Sequence, residues 1–256
     1  MTDVRYALLD PTGNQTVLVE SPVPAESQPL IAGQIMEREP DAEQVGFLSP
    51  RSDGVSMRMA GGEFCGNAAM SAAVLYAMDR GIREGVIPVA VSGTPEPVSV
   101  RVSGLPDGSV RGTVSMPLPL SVKEETFPGG KRYPVVRFHG ISHVILESPL
   151  PRAEAEAAAP VWCGYLGAES VGLMMYDRAA KTLAPLVYVP AADTLFWENS
   201  CASGTTAVGA FLAEKEGAVS LSVRQPGGTL HIERTAGGGL YLTGTVRFRY
   251  RRTVSL

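Results

Sequence analysis

The chain has 256 residues, 45% of them hydrophobic, which is enough apolar material for one large or two medium packed domains. A net charge of −4 with no concentrated Lys/Arg block gives nucleic acid and anionic membrane surfaces nothing to hold, so neither is an expected partner, and a small molecule is. Three cysteines (Cys65, Cys163, Cys201) form neither a zinc pattern nor an even disulfide framework, and three histidines (His139, His143, His231) are too few for a His-rich metal site; no metal and a reducing, cytoplasmic setting are expected.

The N-terminal stretch carries charges at Asp3, Arg5 and Asp10 and lacks the apolar core of a signal peptide, and no run approaches the roughly 18 apolar residues of a spanning helix. Gly13-Asn14 reads as a turn. Gln28 to Glu39 reads as an amphipathic helix that covers a sheet from outside. Asn67 to Met78 (NAAMSAAVLYAM) is apolar or small on nearly every face, so a helix there must be enclosed by protein; Gly81 ends it. Strands follow at Val98–Val102 and Val110–Met116, and Pro117-Leu118-Pro119 marks a boundary.

Beyond it come strands at Val135–Phe138 and Val144–Glu147, an outer helix over Ala153–Leu166, and strands at Leu173–Tyr176 and Leu186–Val189. Gly204 to Leu212 (GTTAVGAFL) is a second buried helix with its stop at Gly217, followed by strands at Thr229–Ile232 and Thr245–Tyr250. Gly237-Gly238-Gly239 is a turn, since it lacks the strand-to-helix setting of a dinucleotide loop. The expected fold is α+β: two similarly built, pseudo-symmetric lobes, each a sheet curled around a buried central helix. Residues 1–117 with the strand 246–256 form one lobe, and 118–245 the other.

Each buried helix is preceded by a cysteine among small residues: Glu63-Phe64-Cys65-Gly66-Asn67 and Glu198-Asn199-Ser200-Cys201-Ala202-Ser203. A helix N-terminus offers unpaired N–H groups and partial positive charge, which lowers a thiol's pKa and binds a carboxylate. Two such entrances supply two bases and an anion site for an α-amino acid. Inversion at Cα needs a base on one face and an acid on the other, with the carbanion held by N–H groups in a dry site. No cofactor is expected: Lys123, Lys131, Lys181 and Lys215 all lie far in sequence from the helix entrances, which leaves no evident Schiff-base lysine. Cys163, in VWCGYL, reads as inert core.

DPTGNQTVLVE, GGEFCGNA, FHGISHVIL, NSCASGT, VRQPGGTLHIE and LYLTGTVRF together resemble the diaminopimelate epimerase superfamily over nearly the whole chain. Within it, EQVGF, EFCGNA, VGLMMYD, PLVYVP and FWENSCASGT are most similar to the histidine racemases of staphylopine-type metallophore biosynthesis. The resemblance implies a mixed sheet in each lobe, an active site between the lobes, and Cys65 and Cys201 as catalytic. It implies Asn14, Gly66 and Asn67 as substrate contacts from the first lobe and Ala202, Ser203 and Gly204 from the second. Glu43, Gln44, His143 and Glu198 are secondary candidates, and a homodimer is left open.

The Glu-Arg pair that grips the distal carboxylate in diaminopimelate epimerase falls, without gaps, on Ala192-Asp193, which favours a substrate with one amino-acid head group. Alternatives stay open at several positions. Asn14 also suits a turn, Glu198 either contacts a basic side chain or caps the helix, and His143 is either a satisfied histidine or a ligand contact. Trp197 and Phe47 shape a side-chain pocket or belong to the core. The competing functions are diaminopimelate epimerisation, a phenazine-pathway type of isomerase, which does not use paired cysteines, and a non-catalytic amino-acid binding module.

Overall fold

The computed structural model describes residues 3–256; Met1 and Thr2, at the head of the N-terminal stretch read above, lie outside it. The elements run β1 (Asp3–Pro11), β2 (Thr16–Val19), α1 (Gln28–Met36), β3 (Gln44–Pro50), β4 (Val55–Met59), α2 (Gly66–Asp79), β5 (Glu84–Val91), β6 (Val98–Gly104) and β7 (Val110–Met116). They continue with β8 (Ser121–Thr126), β9 (Arg132–Arg137), β10 (Ser142–Leu146), α3 (Arg152–Leu166), β11 (Val171–Asp177), β12 (Thr182–Val189), β13 (Thr194–Trp197), α4 (Ala202–Glu216), β14 (Val219–Gln225), β15 (Gly228–Arg234) and β16 (Leu240–Ser255). Contacts divide the chain into Met1–Ser115 with Thr243–Leu256, and Met116–Leu242. No helix is long and apolar enough to cross a membrane among the described residues.

In the first unit β1 to β7 are neighbours in sequence order and β16 follows β7, pairing back antiparallel on β1 from Asp3↔Ser255 to Pro11↔Val246. Eight strands thus close around α2, which touches β1 through β6. All but two of the registered pairs are antiparallel. The parallel ones, β2–β3 and β4–β5, are the two that need a crossover, and α1 and α2 supply it. Because α2 runs through the interior, eleven of its fourteen residues are buried, from Gly66 to Ala77. Its end is a Schellman motif, with Gly81 N–H on Met78 C=O (3.1 Å), Ile82 N–H on Ala77 C=O (2.9 Å) and Gly81 at φ 66°.

α1 packs outside through Ala32 and Ile35 against Tyr6, Val17 and Phe47. Glu39, just past it, accepts from Tyr6 Oη (2.6 Å), Tyr250 Oη (2.7 Å) and Arg252, tying the last strand to the first unit.

The second unit repeats this order of elements. The strands run β8-β9-β10-β11-β12-β14-β15 and on to the start of β16, with β13 as an extra edge strand on β12. The parallel pairs β10–β11 and β12–β14 are bridged by α3 and α4, as α1 and α2 bridge theirs. α4 touches strands β8 to β11, β14 and β15, and eleven of its fifteen residues are buried. α3 covers the outer face with Ala155, Ala159, Trp162 and Leu166 on Val144, Leu146, Leu173 and Leu186; Phe127 packs against Trp162 with ring centroids 4.5 Å apart and the planes tilted by 45°. Fully burying each large apolar side chain there stabilises by about 1.5–3 kcal/mol. Cys163 belongs to this cluster, donating to Ala168 C=O at 3.2 Å with its thiol pushed up by burial.

Candidate active site

Cys65 is the N-cap of α2 and Cys201 the N-cap of α4, both extended, at φ −131°, ψ 112° and φ −120°, ψ 111°. That geometry turns the side chain back over the first turn, where the sulfur accepts the third helical N–H: Ala68 at 3.4 Å for Cys65 and Gly204 at 3.3 Å for Cys201. The small residues that follow, Gly66 and Asn67 in α2 and Ala202, Ser203 and Gly204 in α4, occupy the first turns of the two helices. Neither helix carries an acidic residue there, so the partial positive charge of each N-terminus is not neutralised within the turn.

In the first unit, Asn14, Glu43, Gln44 and Cys65 come together as one hydrogen-bonded chain. The Cys65 thiol donates to Gln44 Oε1 at 2.9 Å; Gln44 Nε2 donates to Thr16 Oγ1 at 2.8 Å and to Asn14 Oδ1; Asn14 Nδ2 donates to Glu43 Oε2. The acceptors on Nε2 fix which end of the Gln44 amide faces the sulfur. β2 and β3 build this chain, since their parallel register sets Thr16 beside Gln44 at the end where the Gly13-Asn14 turn (Gly13 φ 85°) enters. Asn14 and Asn67 are 1% and 2% exposed, so each is a buried amide next to a thiol-capped helix.

Two residues outside the candidate set hold Cys65 from behind. Ser92 Oγ accepts from Met59 N–H (3.0 Å) and donates to Glu63 C=O (2.7 Å). Gly93, at φ 76°, lies so close that an added Cβ would come within 2.2 Å of Phe64 N and 2.7 Å of Glu63 C. No sequence signal beyond a Ser-Gly turn pointed to either. Burial raises the Glu63 carboxyl above its ordinary range, partly offset by backbone N–H groups and Arg58.

In the second unit, Glu198, Cys201, Ala202, Ser203 and Gly204 are consecutive or nearly so at the end of β13 and the start of α4. Cys201 is 4% exposed. The expectation that a helix N-terminus lowers its pKa is reversed: burial, then the charge and hydrogen bond of Glu198, push the thiol well above its ordinary value, outweighing the Ser203 hydroxyl and Gly204 N–H. Desolvation wins because it penalises the thiolate everywhere in the pocket, whereas the helix supplies only one or two N–H dipoles. Cys201 therefore rests as a thiol.

Its backbone is locked by a ring that the sequence did not reveal. Cys201 N–H donates to Gln225 Oε1 (2.9 Å), Gln225 Nε2 donates to Thr205 Oγ1 (2.8 Å), and Thr205 Oγ1 donates to Cys201 C=O (2.7 Å).

Of the two readings the sequence allowed for His143, the satisfied histidine does not hold. It is fully buried, yet neither ring nitrogen has a hydrogen-bond partner among the described residues, and burial pushes its pKa down to about 3. Its neighbours Val144 and Leu146 face the α3 side; His143, one residue out of phase with them, points toward α4. Gly172 makes room for the ring: a Cβ there would meet His143 Nδ1 at 2.3 Å and Met174 Cε at 2.7 Å. Met174 in turn covers Gly204, where a Cβ would meet its sulfur at 2.2 Å. A neutral, unpartnered imidazole thus stands one methionine away from the first turn of α4. Trp197 packs on the α3 cluster and donates to Glu156 at 2.8 Å, and Phe47 is in the α1 cluster, so both have core roles.

The model of the histidine racemase CntK N-terminal domain matches residues 3–247 of the chain. A histidine racemase of Fusobacterium nucleatum is 34% identical over 235 residues, covering 88% of this chain and 87% of that protein. One of Staphylococcus aureus is 29% identical over 245 residues, covering 90% and 88%. Among solved structures, a predicted epimerase of Pseudomonas aeruginosa superposes with a TM-score of 0.74 at 17% identity, over 98% of this chain and 99% of that one, a likeness of fold.

Proposed function

The chain is an amino-acid racemase belonging to the histidine racemase family, and from that premise we propose that it interconverts L- and D-histidine without a cofactor, with Cys65 and Cys201 as the two acid–base groups. The single observation that carries the mechanism is the duplicated N-cap: two buried helices, each opened by a thiol that accepts the third helical N–H. A sulfur so placed is adjacent to N–H groups able to hold a carboxylate, and it gains stabilisation from the same N–H when it loses its proton. Cys201, resting as a thiol, is suited to hand a proton to the carbanion, and in the opposite direction the roles exchange.

Asn14, Gln44, Gly66 and Asn67 would contact the substrate around Cys65, and His143, Ala202, Ser203 and Gly204 around Cys201; Glu198, the other candidate of the second unit, sits against the Cys201 thiol itself. Of these, the first-turn residues would offer N–H groups to the carboxylate, and the neutral His143 ring would add no charge next to a cationic substrate. The reading includes a diaminopimelate epimerase-like arrangement of two lobes, 1–117 with 246–256 and 118–245, a cytoplasmic setting, and a place in opine-type metallophore synthesis. The names of the relatives and the absence of an arginine from 183 to 201 support histidine over diaminopimelate. A distal carboxylate desolvated without a cation costs several kcal/mol.

The test is loss of the α-proton in deuterated water. Wild type should exchange and racemise L-histidine with a kcat/KM far above that for LL-diaminopimelate, and Cys65→Ser and Cys201→Ser should each lose racemisation by orders of magnitude. Preference for diaminopimelate would reject the substrate; full activity of either variant would reject the two-thiol mechanism.

A further inference from the structure

Racemisation through two thiols leaves the protein with its protons exchanged: the sulfur that took the α-proton is protonated and the one that gave a proton is a thiolate. Before the next turnover in the same direction each must return to its starting state. Cys201, at 4% exposure, has little solvent of its own from which to do this.

Glu198 connects it to a different surface. Its carboxylate is hydrogen-bonded to the Cys201 thiol. The same residue is half-buried and lines a surface cavity of about 840 Å³ on the second unit, which Cys201 itself does not line. The cavity lies among Met175, Leu183, Pro185 and Trp197, with Asn199 and Gln225 beside Glu198. Its other charged groups are Asp177, which accepts from Ala180 N–H at 2.8 Å, Arg152, which is paired with Glu156 at 2.9 Å, and Arg224. The backbone that carries Glu198 is anchored on both sides, Glu198 N–H on Pro185 C=O (2.9 Å) and Gly227 N–H on Asn199 C=O (2.8 Å), so the carboxylate is held at the junction of the cavity and the sulfur.

We propose that Glu198 is a proton relay that returns Cys201 to its working protonation state, exchanging protons between the sulfur and the solvent of this outer cavity. The inference rests on the two-thiol reading. The balance is simple. When Cys201 has given its proton to the carbanion, the Glu198 carboxylate takes a proton from water and passes it to the thiolate, restoring thiol and carboxylate. When Cys201, as the thiolate beside the Glu198 carboxylic acid, has accepted the α-proton, Glu198 releases its own proton to water and takes that of the thiol, restoring thiolate and acid. No oxidant, reductant or co-reactant is involved. Two adjacent negative charges, thiolate and carboxylate, are disfavoured in so buried a place, so the pair holds one proton between them and recharges promptly after each donation.

The kinetic signature separates this role from substrate binding. Return of the free enzyme to its starting state enters kcat but not kcat/KM, which ends at product release. In Glu198→Gln, compared with wild type at each protein's own pH optimum with L-histidine, kcat should fall by about tenfold or more, kcat/KM should stay within about threefold, and KM should fall with kcat. Formate, a small carboxylic acid able to enter the cavity, should restore kcat in Glu198→Gln and leave wild type unchanged. Glu198→Asp should lie between the two.

A fall in kcat/KM as large as the fall in kcat, with a raised KM, would overturn the relay and make Glu198 a substrate contact; an unchanged kcat would overturn it as well. Wild-type protein whose Cys201→Ser form still racemises would overturn the two-thiol reading itself, a failure visible before any Glu198 variant is made.

Discussion

Gln225→Ala tests whether Cys201 is held by its hydrogen-bond ring or merely by helix packing. The substitution removes the acceptor of Cys201 N–H and the donor to Thr205 Oγ1 in one step. Each such bond contributes about 1 kcal/mol net, and a buried N–H left unpaired costs about 1–3 kcal/mol. Gln225 also lines the surface cavity, so solvent can follow the shortened side chain and recover part of that cost, which places the loss at about 2–3 kcal/mol. For a chain of this length that lowers the thermal midpoint by roughly 4–12 °C. Gln225→Glu should lose at least as much, since a carboxylate still accepts from Cys201 N–H but cannot donate to Thr205 and brings a charge into a buried position. Thermal unfolding followed by circular dichroism reads both. A Gln225→Ala midpoint within about one degree of wild type would refute the reasoning and leave helix packing as the sole anchor.

Acid should destabilise the fold through His143. Its pKa is lowered to about 3 in the fold against an ordinary 6.5, so the stability it contributes is full above pH 6.5 and is lost as pH falls toward 3, at about 1.4 kcal/mol per pH unit. From pH 7 to pH 5 that is about 2 kcal/mol; His143→Leu should lack this loss, and a wild-type-minus-variant difference in urea midpoint that is the same at both pH values would rule it out. Gly93→Ala, whose Cβ meets backbone atoms of Glu63 and Phe64 at a positive φ, should cost at least about 2 kcal/mol and move Cys65, lowering kcat more than its effect on folding explains; a stable variant with normal kcat would contradict the geometry.

The central helices were legible because their signal is local. A dozen residues with no polar face cannot be a surface helix, and the structure buries eleven residues in each. Several strands lacked such a signal. β2 and β10 are buried at every position, so the period-two alternation that marks a half-exposed strand is missing, and β2 went unassigned. The thiols were legible from the small residues behind them, but the parts that hold them were not. Ser92 and Gly93 lie 27 and 28 residues after Cys65, Gln225 lies 24 after Cys201, and their roles exist only once β5 and β14 are in register. The direction of the Cys201 pKa failed for a related reason: a helix entrance can be read from sequence, whereas burial and the approach of Glu198 cannot.

Cysteine at an N-cap is itself an argument about what the chain gives up. Serine, threonine, asparagine and aspartate are the favoured caps because their oxygen reaches the N2 or N3 N–H at ordinary hydrogen-bond distance, about 2.9–3.0 Å. The sulfurs here accept at 3.4 and 3.3 Å, weaker contacts made by a poorer acceptor. If the two helices needed only capping, serine would do it better, by about 0.5 kcal/mol at each site. Cys65→Ser and Cys201→Ser should therefore be at least as stable as wild type while losing α-proton exchange, since a serine hydroxyl is far too weak an acid to supply the anion at neutral pH. Urea midpoints measured alongside the exchange assay decide it. Serine variants clearly less stable than wild type would mean that the sulfurs are held for packing, and the loss of activity could then no longer be assigned to the missing thiol.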